Sequence, residues 1–262
     1  MILEPVQYLL GVGSGTLVGL TLGLVGGGGS ILAVPLMVYL VGVGSPHLAI
    51  GTSAFAVAAN AASGLLNHAR AGTVKWRCGA IYAGAGIFGA LVGSTIGKSI
   101  DGQKLLFLFA LVMIAVGVLM FRGRGAAGDP AADCTWRRSP KVLGYGLGTG
   151  AFSGFFGIGG GFLIVPGLIG STGMPILNAI GTSLVAVTAF GLTTAFNYAV
   201  SGLVDWPLAF AFIAGGVLGT FLGTRLARRL AGTRGRLTTI FAVLIFVVAA
   251  YMVFRSIGAL GA

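Results

Sequence analysis

The chain has 262 residues, of which 56% are hydrophobic and only 8% are charged, whereas a soluble domain usually carries about 25% charged residues. This composition excludes a soluble globular protein and predicts an integral membrane protein. The formal charge of +11 does not indicate nucleic-acid binding, because Lys and Arg collect in the cytoplasmic loops of membrane proteins.

Two long stretches, residues 5–69 and 142–204, contain no charged residue. A helical crossing takes about 20 mostly apolar residues, so each stretch has room for two or three membrane segments. The acidic Glu4 argues against a cleavable signal peptide, which begins with positive charge. In chain order, apolar segments are predicted near 6–25, 30–43, 47–69, 77–98, 103–121, 141–156, 161–172, 175–200, 206–226 and 237–256.

Three stretches of the first half recur in the second half with a nearly constant offset, which indicates an internal duplication. The matched pairs are GLVGGGGSILAVP at 23–35 with GFFGIGGGFLIVP at 154–166, AIGTS at 49–53 with AIGTS at 179–183, and NHARAGTVKW at 67–76 with NYAVSGLVDW at 197–206. We predict an all-α polytopic membrane protein with about five segments per half. Its parts are a first membrane repeat at 1–121, a cytoplasmic linker at 122–140 and a second membrane repeat at 141–262.

The Lys and Arg residues indicate how the two repeats are oriented. If an odd number of crossings inverts the second repeat, 13 of the 16 basic residues fall on one side of the membrane, whereas parallel repeats give no bias. Because cytoplasmic loops carry the excess of Lys and Arg, we predict inverted-topology repeats with the linker in the cytoplasm and both termini in the periplasm. The 13 residues are Arg70, Lys75, Arg77, Arg122, Arg124, Arg137, Arg138, Lys141, Arg225, Arg228, Arg229, Arg234 and Arg236.

The glycine runs are expected to break membrane helices, since each glycine costs about 1 kcal/mol relative to alanine in a helix interior. The second segment of each half is too short to cross at 1.5 Å per residue. It is either a half-helix or one arm of a re-entrant hairpin, and the residues leave both open.

Inverted-repeat transporters bind their substrate near the bilayer midplane, where helices stop and restart. The free N–H groups and the dipole of a restarting helix favour an anion. We therefore predict an anion cradle in each half, formed by Gly26, Gly27, Gly28, Gly29 and Ser30 in the first and by Gly157, Gly159, Gly160 and Gly161 in the second.

Polar residues at matched positions are further candidates for substrate binding. They are Thr52, Ser53 and Asn67 in the first half and Thr182, Ser183 and Asn197 in the second. These residues either bind the substrate or have a structural role. Both possibilities stay open, because hydroxyls in membranes also bond their own helix and amides also bond neighbouring helices. Glycines four residues apart, such as Gly15, Gly19 and Gly23, are instead predicted to let helices pack closely.

The sequence does not indicate catalysis, a cofactor or a metal site. Cys78 and Cys134 offer neither a metal-ligand cluster nor a disulfide framework, and we expect both to be incidental. A hydrolase would have to be built from Ser153 with His47 or His68, and neither glycine run continues into the Lys-Ser/Thr of a phosphate-binding loop. We expect no enzyme activity and no bound cofactor.

The two copies of GxGGGxxxxP, each followed by A-x-G-T-S, resemble the sulfite exporter TauE/SafE family of membrane permeases over essentially the whole chain. GIGGGFLIVP at 157–166 is the closer copy, and the first copy departs from it at Gly27 and Ser30. The resemblance implies transport of a small sulfur oxyanion, such as sulfite or an organosulfonate, across the bacterial inner membrane. It does not fix the particular anion.

Efflux by alternating access is the expected mechanism. No carboxylate lies inside a predicted span, and a potential negative inside contributes about 2.3 kcal/mol per charge per 100 mV toward anion export. The expected partners are the small anion and the lipid bilayer, without nucleic acid, and the oligomeric state is not predicted. The alternatives are transport of another solute, such as a metal ion, and a non-transporting membrane scaffold or assembly factor.

Overall fold

The computed structural model describes residues 4–122, 129, 134, 139–157, 161–230, 243, 246–252 and 254. Its helices are α1 (Pro5–Val25), α2 (Ala33–Pro35), α3 (Pro46–Arg70), α4 (Trp76–Lys98), α5 (Gly102–Arg122), α6 (Ser139–Phe156), α7 (Gly161–Thr172), α8 (Ile176–Val200) and α9 (Trp206–Leu230). The last predicted segment, at 237–256, falls partly outside the described residues, but residues 246–252 are helical.

Five helical stretches of the described chain are long and apolar enough to cross a membrane, by length and composition. They are Pro5–Leu40, Pro46–Arg70, Trp76–Lys98, Ile176–Val200 and Trp206–Ala227. Large apolar side chains such as Phe88 and Phe196 are about two-thirds exposed on the outside of the helices, as expected of surfaces that face lipid. The prediction of an all-α polytopic membrane protein is confirmed.

The first membrane stretch folds back on itself. α1 ends before Gly26, whose φ is +68°, and a 3-10 segment (Gly26–Leu32), α2 and a π-helical turn (Leu36–Leu40) then lead back. The Gln7 side chain donates to the Val41 carbonyl at 3.0 Å, so the return arm ends beside the start of α1. We call this stretch the first hairpin and Gly26–Leu32 the first tip.

The second half contains the corresponding hairpin. α6 ends before Gly157, whose φ is also +68°, and α7 runs back along α6. A Cβ added at Gly170 in α7 would lie 3.5 Å from the Tyr145 hydroxyl in α6. We call residues 157–161 the second tip, of which 158–160 lie outside the described residues.

Loop contacts sort the helix ends into two groups. The start of α8 meets the α3–α4 loop, and the linker meets the end of α7; we call this the linker end. The α4–α5 loop meets the start of α3, and the end of α4 meets the end of α8; we call this the far end. The bonds are Asn178 Nδ2 to Thr73 O (3.1 Å) and Asp129 N to Gly173 O (2.9 Å) at the linker end, and His47 Nε2 to Ile100 O (3.0 Å) and Lys98 Nζ to Ser201 Oγ (2.9 Å) at the far end.

The glycine stripes bring α1 against α9 and α6 against α4 at backbone contact. A Cβ on any of these glycines would overlap backbone atoms of the facing helix, which confirms the predicted role of small residues in helix packing. The two helix pairs repeat the same contacts with the halves exchanged. They are Gly15, Gly19 and Gly23 against Phe212, Gly216 and Thr220, and Gly146, Gly150 and Gly154 against Tyr82, Gly86 and Ala90.

This packing predicts a sharp difference between two glycines of α1. Gly19→Ala puts a methyl group onto the Gly216 carbonyl, whereas no described atom lies within 4 Å of the Cβ position at Gly13. Overpacking of a tight core costs about 1–3 kcal/mol or more. We expect Gly19→Ala to lower the melting temperature of the detergent-purified protein by several degrees and Gly13→Ala to leave it unchanged. Equal melting temperatures would contradict the packing role.

The expectation that the cysteines are incidental is wrong. Cys78 and Cys134 form a disulfide across 56 residues of sequence, with their Cα atoms 5.3 Å apart, and both residues are buried. The bond ties the linker to the first turn of α4 at the linker end. Sequence spacing carries no sign of it, because only the folding of the linker over α4 brings the two residues together.

Candidate functional site

The first tip is fully buried and is not α-helical. All seven of its residues, Gly26–Leu32, are buried within 3-10 turns. A 3-10 stretch within a helix has poorer hydrogen-bond geometry than an α-helix and often marks a functional hinge. The first tip is therefore a break between the outgoing and the returning arm of the hairpin.

Two of its glycines have no room for a side chain. Gly26 combines a φ of +68° with an added Cβ that would lie 2.8 Å from the Ile180 carbonyl oxygen. At Gly29 a Cβ would overlap the backbone of Thr21 and Leu22 in α1. Glycine is required here, because the return arm must leave α1 sharply and then press against its last turn.

Hydrogen bonds fix the first tip to the second half of the chain. The Gly27 N–H donates to Ser183 Oγ in α8 at 3.0 Å, and the same hydroxyl donates to the Ile180 carbonyl at 2.8 Å. Within the tip, Ser30 Oγ donates to the Gly27 carbonyl at 2.8 Å. The Gly27 N–H, a predicted anion donor, therefore binds a side-chain hydroxyl in this conformation.

The second tip meets the first half in a matching way. A Cβ at Gly157 would overlap the Ile50 side chain in α3, just as Gly26 meets Ile180 at the equivalent place in α8. Gly161 begins α7, and the predicted ligands Gly159 and Gly160 lie outside the described residues. The first tip also packs against α7, so the two hairpins meet in the interior.

The interior of the described chain contains buried polar side chains on several helices. The buried polar side chains of the described residues are Ser14, Thr21, Ser30, Thr52, Ser53, Asn60, His68, Ser94, Ser153, Ser171, Thr172, Thr182, Ser183, Thr194, Thr220 and Thr224. Within that described set there is no buried carboxylate, Lys or Arg. Such an interior can hydrogen-bond an ion but cannot neutralise it with a buried countercharge.

The two GTS motifs join the halves to one another. Thr52 Oγ1 accepts from the Asp205 N–H and Thr182 Oγ1 accepts from the Lys75 N–H, both at 2.9 Å. Each threonine thereby binds the backbone just before a long helix of the other half. Ser53 donates to the carbonyl of Ile50 in its own helix at 3.1 Å, as Ser183 does to that of Ile180.

The two predicted asparagines lie at opposite ends of the bundle. Asn67 is half-buried in the last turn of α3 at the linker end. Asn197, in the last turn of α8 at the far end, accepts from Lys98 Nζ at 2.8 Å and donates to Ser94 and Thr95 of α4. Of the two readings left open for Asn197, a bond to another helix is the one observed.

The two histidines occupy loop junctions. His68 Nδ1 lies 2.9 Å from the Thr73 hydroxyl, at the α3–α4 loop. Across the described ranges no group of three or more His, Cys, Asp or Glu side chains is arranged to hold a metal ion.

The sequence analysis missed Asn60, in the middle of α3. Its side chain is 0% exposed, and neither its Oδ1 nor its Nδ2 has a hydrogen-bond partner among the described residues. It fills the space beside Gly216 of α9. In the matched place of the other half, Phe190 fills the space beside Gly86. The sequence did contain a sign of this site: Asn60 is an amide in the middle of an apolar segment, and the matched residue of the second half is the large apolar Phe190.

Comparison with known proteins identifies the family. The model of the family "Sulfite exporter TauE/SafE" matches residues 11–252. The chain belongs to this family. It is therefore a member of a membrane transporter family, and such proteins are not enzymes.

Relatives of the TauE/SafE chain carry transporter names. A "Probable membrane transporter protein" of Xylella fastidiosa (strain 9a5c) is 53% identical over 95% of this chain and 96% of its own length. The Bacillus subtilis protein YdhB, also named a probable membrane transporter, is 26% identical over 80% of this chain and 86% of its own length. A probable membrane transporter of Methanocaldococcus jannaschii is 29% identical over 73% of this chain and 71% of its own length. No solved structure matches the chain.

Proposed function

We propose that the protein exports a small sulfur oxyanion, such as sulfite or an organosulfonate, by alternating access. The sulfur chemistry comes from the description of the family model, Sulfite exporter TauE/SafE. The site we assign consists of the two tips together with Ser183 and Asn60. The observation that carries the proposal is the buried first tip together with the buried start of the second tip, each beginning at a matched glycine with a φ of +68° and each contacting the other half.

The tips support transport because they combine two properties. Backbone amides at a helix break are ready donors to an anion, and non-helical backbone in the membrane is tolerated only where protein or a cavity surrounds it. The Gly27 N–H now rests on Ser183 Oγ, which acts as a substitute acceptor when no anion is present. A scaffold or assembly factor has no comparable use for two buried helix breaks.

We further propose that the halves are inverted repeats, each made of a re-entrant hairpin and three crossings. The support is that the first hairpin starts and ends at the far end, whereas the second starts and ends at the linker end. The exchanged contacts of α1 with α9 and of α6 with α4 also fit a two-fold relation between halves. The site then lies at the repeat interface, as in other inverted-repeat transporters.

Asn60 extends the site toward α9. An unpaired amide in an apolar interior costs about 2–7 kcal/mol depending on the reference state, and an apolar residue fills the matched place in the other half. A substrate that binds the amide in one transport state and leaves it in another accounts for this cost. Separation of α3 from α9 at Gly216 would open the path to the amide.

The test of the proposed function is flux in proteoliposomes loaded with a panel of radiolabelled anions. We expect the protein to release sulfite or a small sulfonate faster than sulfate, phosphate or chloride, and to release it faster when the compartment holding the anion is made negative. Release should be faster because the membrane potential contributes about 2.3 kcal/mol per charge per 100 mV to the free energy of anion movement. Absence of flux for every sulfur anion in the panel, with a folded and oriented protein, would overturn the proposal.

The orientation of the protein needs a separate test, because two signals oppose each other. The basic residues concentrate at the linker end, which favours a cytoplasmic linker, whereas disulfides such as Cys78–Cys134 persist mainly in oxidising compartments. We propose a cytoplasmic linker, with the two cysteines reduced in the growing cell.

Cysteine labelling distinguishes the two orientations. Asp129, at the linker end, and Gln103, at the far end, are both exposed. In a background with Cys78→Ser and Cys134→Ser, we expect Gln103→Cys to react with a membrane-impermeant thiol reagent in intact cells. Asp129→Cys should react only after the membrane is opened. The reverse pattern would contradict a cytoplasmic linker.

A further inference from the structure

A groove open to the outside of the helix bundle lies between α5, α6 and α7. Its volume is about 710 Å³, which is within the range of ligand-binding sites. The residues that shape it are Val112, Lys141, Gly144, Gly148, Phe152 and Leu163.

Two glycines of α6 make the floor of this groove. Among the described residues, no atom lies within 4 Å of an added Cβ at Gly144 or at Gly148. Unlike Gly146 and Gly150 on the opposite face, they are not needed for contact with α4. The one hydroxyl in the lining that bonds across helices, Thr149 Oγ1, donates to Tyr82 OH at 2.8 Å, so the groove is left mainly apolar.

The groove has a cationic end. Lys141 lies in the first turn of α6 at the linker end, and Phe152 lies three turns deeper. At 1.5 Å per residue the distance between them is about 16 Å, close to the thickness of one leaflet, which is about half of the 30 Å hydrocarbon core. A single acyl chain can therefore lie along α6 with its head group at Lys141.

The matched face of the first half lacks the cation and one of the two floor glycines, Gly13 standing where the second half has Gly144. The residues of α1 at the positions of Lys141 and Gly148 are Leu10 and Leu17, and Leu17 is an exposed side chain that covers this face. The groove is thus specific to the second half, and the cation is at the linker end, where the basic residues of the chain concentrate. Basic pockets between membrane helices on this side bind anionic lipid head groups.

We propose that this groove binds one anionic phospholipid, with its phosphate at Lys141 and one acyl chain over Gly144 and Gly148. Charge complementarity at Lys141 selects an anionic lipid over a zwitterionic one. The proposal does not depend on which ion the protein transports, because the groove shares no residue with the tips.

Native mass spectrometry of the purified protein tests it by titration with phosphatidylglycerol and, separately, with phosphatidylcholine. We expect one phosphatidylglycerol to bind about fivefold more tightly than phosphatidylcholine, and Lys141→Gln to remove this preference. Gly148→Leu, which copies the first half, should abolish tight binding of both lipids. Gly13→Leu, at another open glycine, should leave both affinities at the wild-type value.

Three outcomes would overturn the proposal. These are equal wild-type affinity for the two lipids, unchanged binding in Gly148→Leu, and displacement of phosphatidylglycerol by millimolar inorganic phosphate. The last result would mean that Lys141 binds free phosphate and that the apolar groove contributes nothing. A melting curve of each variant checks that loss of binding is not loss of folding.

Discussion

Replacing Asn60 by leucine is expected to make the protein more stable and unable to transport. The substitution removes an unpaired amide from the interior. The free energy of unfolding should rise by about 1–3 kcal/mol, which is the cost of a buried polar group left without a partner. The substrate loses a ligand at the same time, so we expect the efflux rate to fall by about tenfold or more, the loss of one hydrogen bond to a charged group. Thermal unfolding in detergent and sulfite efflux from proteoliposomes measure the two effects on the same preparation.

A purely structural role for Asn60 predicts a different pair of results. If the amide stabilises the resting protein through a bond to water, Asn60→Leu lowers the melting temperature. Ser63→Ala is the matched control, because Ser63 lies one turn further along α3 and its hydroxyl donates to the Asn60 backbone carbonyl at 2.7 Å. The control should leave efflux at the wild-type rate. Wild-type efflux in Asn60→Leu would remove this residue from the site.

The second large effect is expected at the start of the first tip. Gly26→Ala forces a side chain into a left-handed conformation, at a cost of about 1–2 kcal/mol, and directs the methyl group at the Ile180 carbonyl. The tip should then move from Ser183 and lose its amide geometry. We expect sulfite efflux to fall by about tenfold or more. A tenfold fall corresponds to a loss of about 1.4 kcal/mol of interaction free energy with the anion.

The chain provides a control glycine with a similar positive φ elsewhere. Gly202, in the loop between α8 and α9, has a φ of +70°, and no described atom lies within 4 Å of its added Cβ. Gly202→Ala should lower stability less than Gly26→Ala, which adds a contact with the Ile180 carbonyl, and should leave efflux intact. Equal efflux in the two variants would mean that the first tip acts only as a structural turn.

The periodic and repeated features of this chain could be predicted from the sequence. Segment bounds such as 77–98 and 206–226 agree closely with α4 and α9, because apolar length is what a membrane span requires. The packing role of Gly15, Gly19 and Gly23 also followed from spacing alone. These features depend on residues near one another in the chain.

Features that depend on which surfaces meet could not be predicted in the same way. The chain turns back after α1, and the Gln7 side chain binds the Val41 carbonyl there. The sequence could not predict this turn, because a short apolar segment is compatible with several paths. Thr52 and Thr182 of the GTS motifs, predicted as candidate substrate ligands, instead bind the backbone at the start of a helix in the opposite half. The disulfide and the buried amide of Asn60 are contacts between distant segments, and neither has a periodic pattern.

The central claim is that the two tips act together to carry an anion across the membrane. The most direct measurement compares sulfite efflux from proteoliposomes for two double variants with alanine at matched positive-φ glycines. One pair is Gly26 and Gly157, with φ of +68° at both, and the other is Gly72 and Gly202, with φ of +67° and +70°. We expect the first pair to abolish efflux and the second, at positive-φ glycines with open space in the loops, to keep it. Efflux that survives in the first pair, or is lost equally in both, would contradict it.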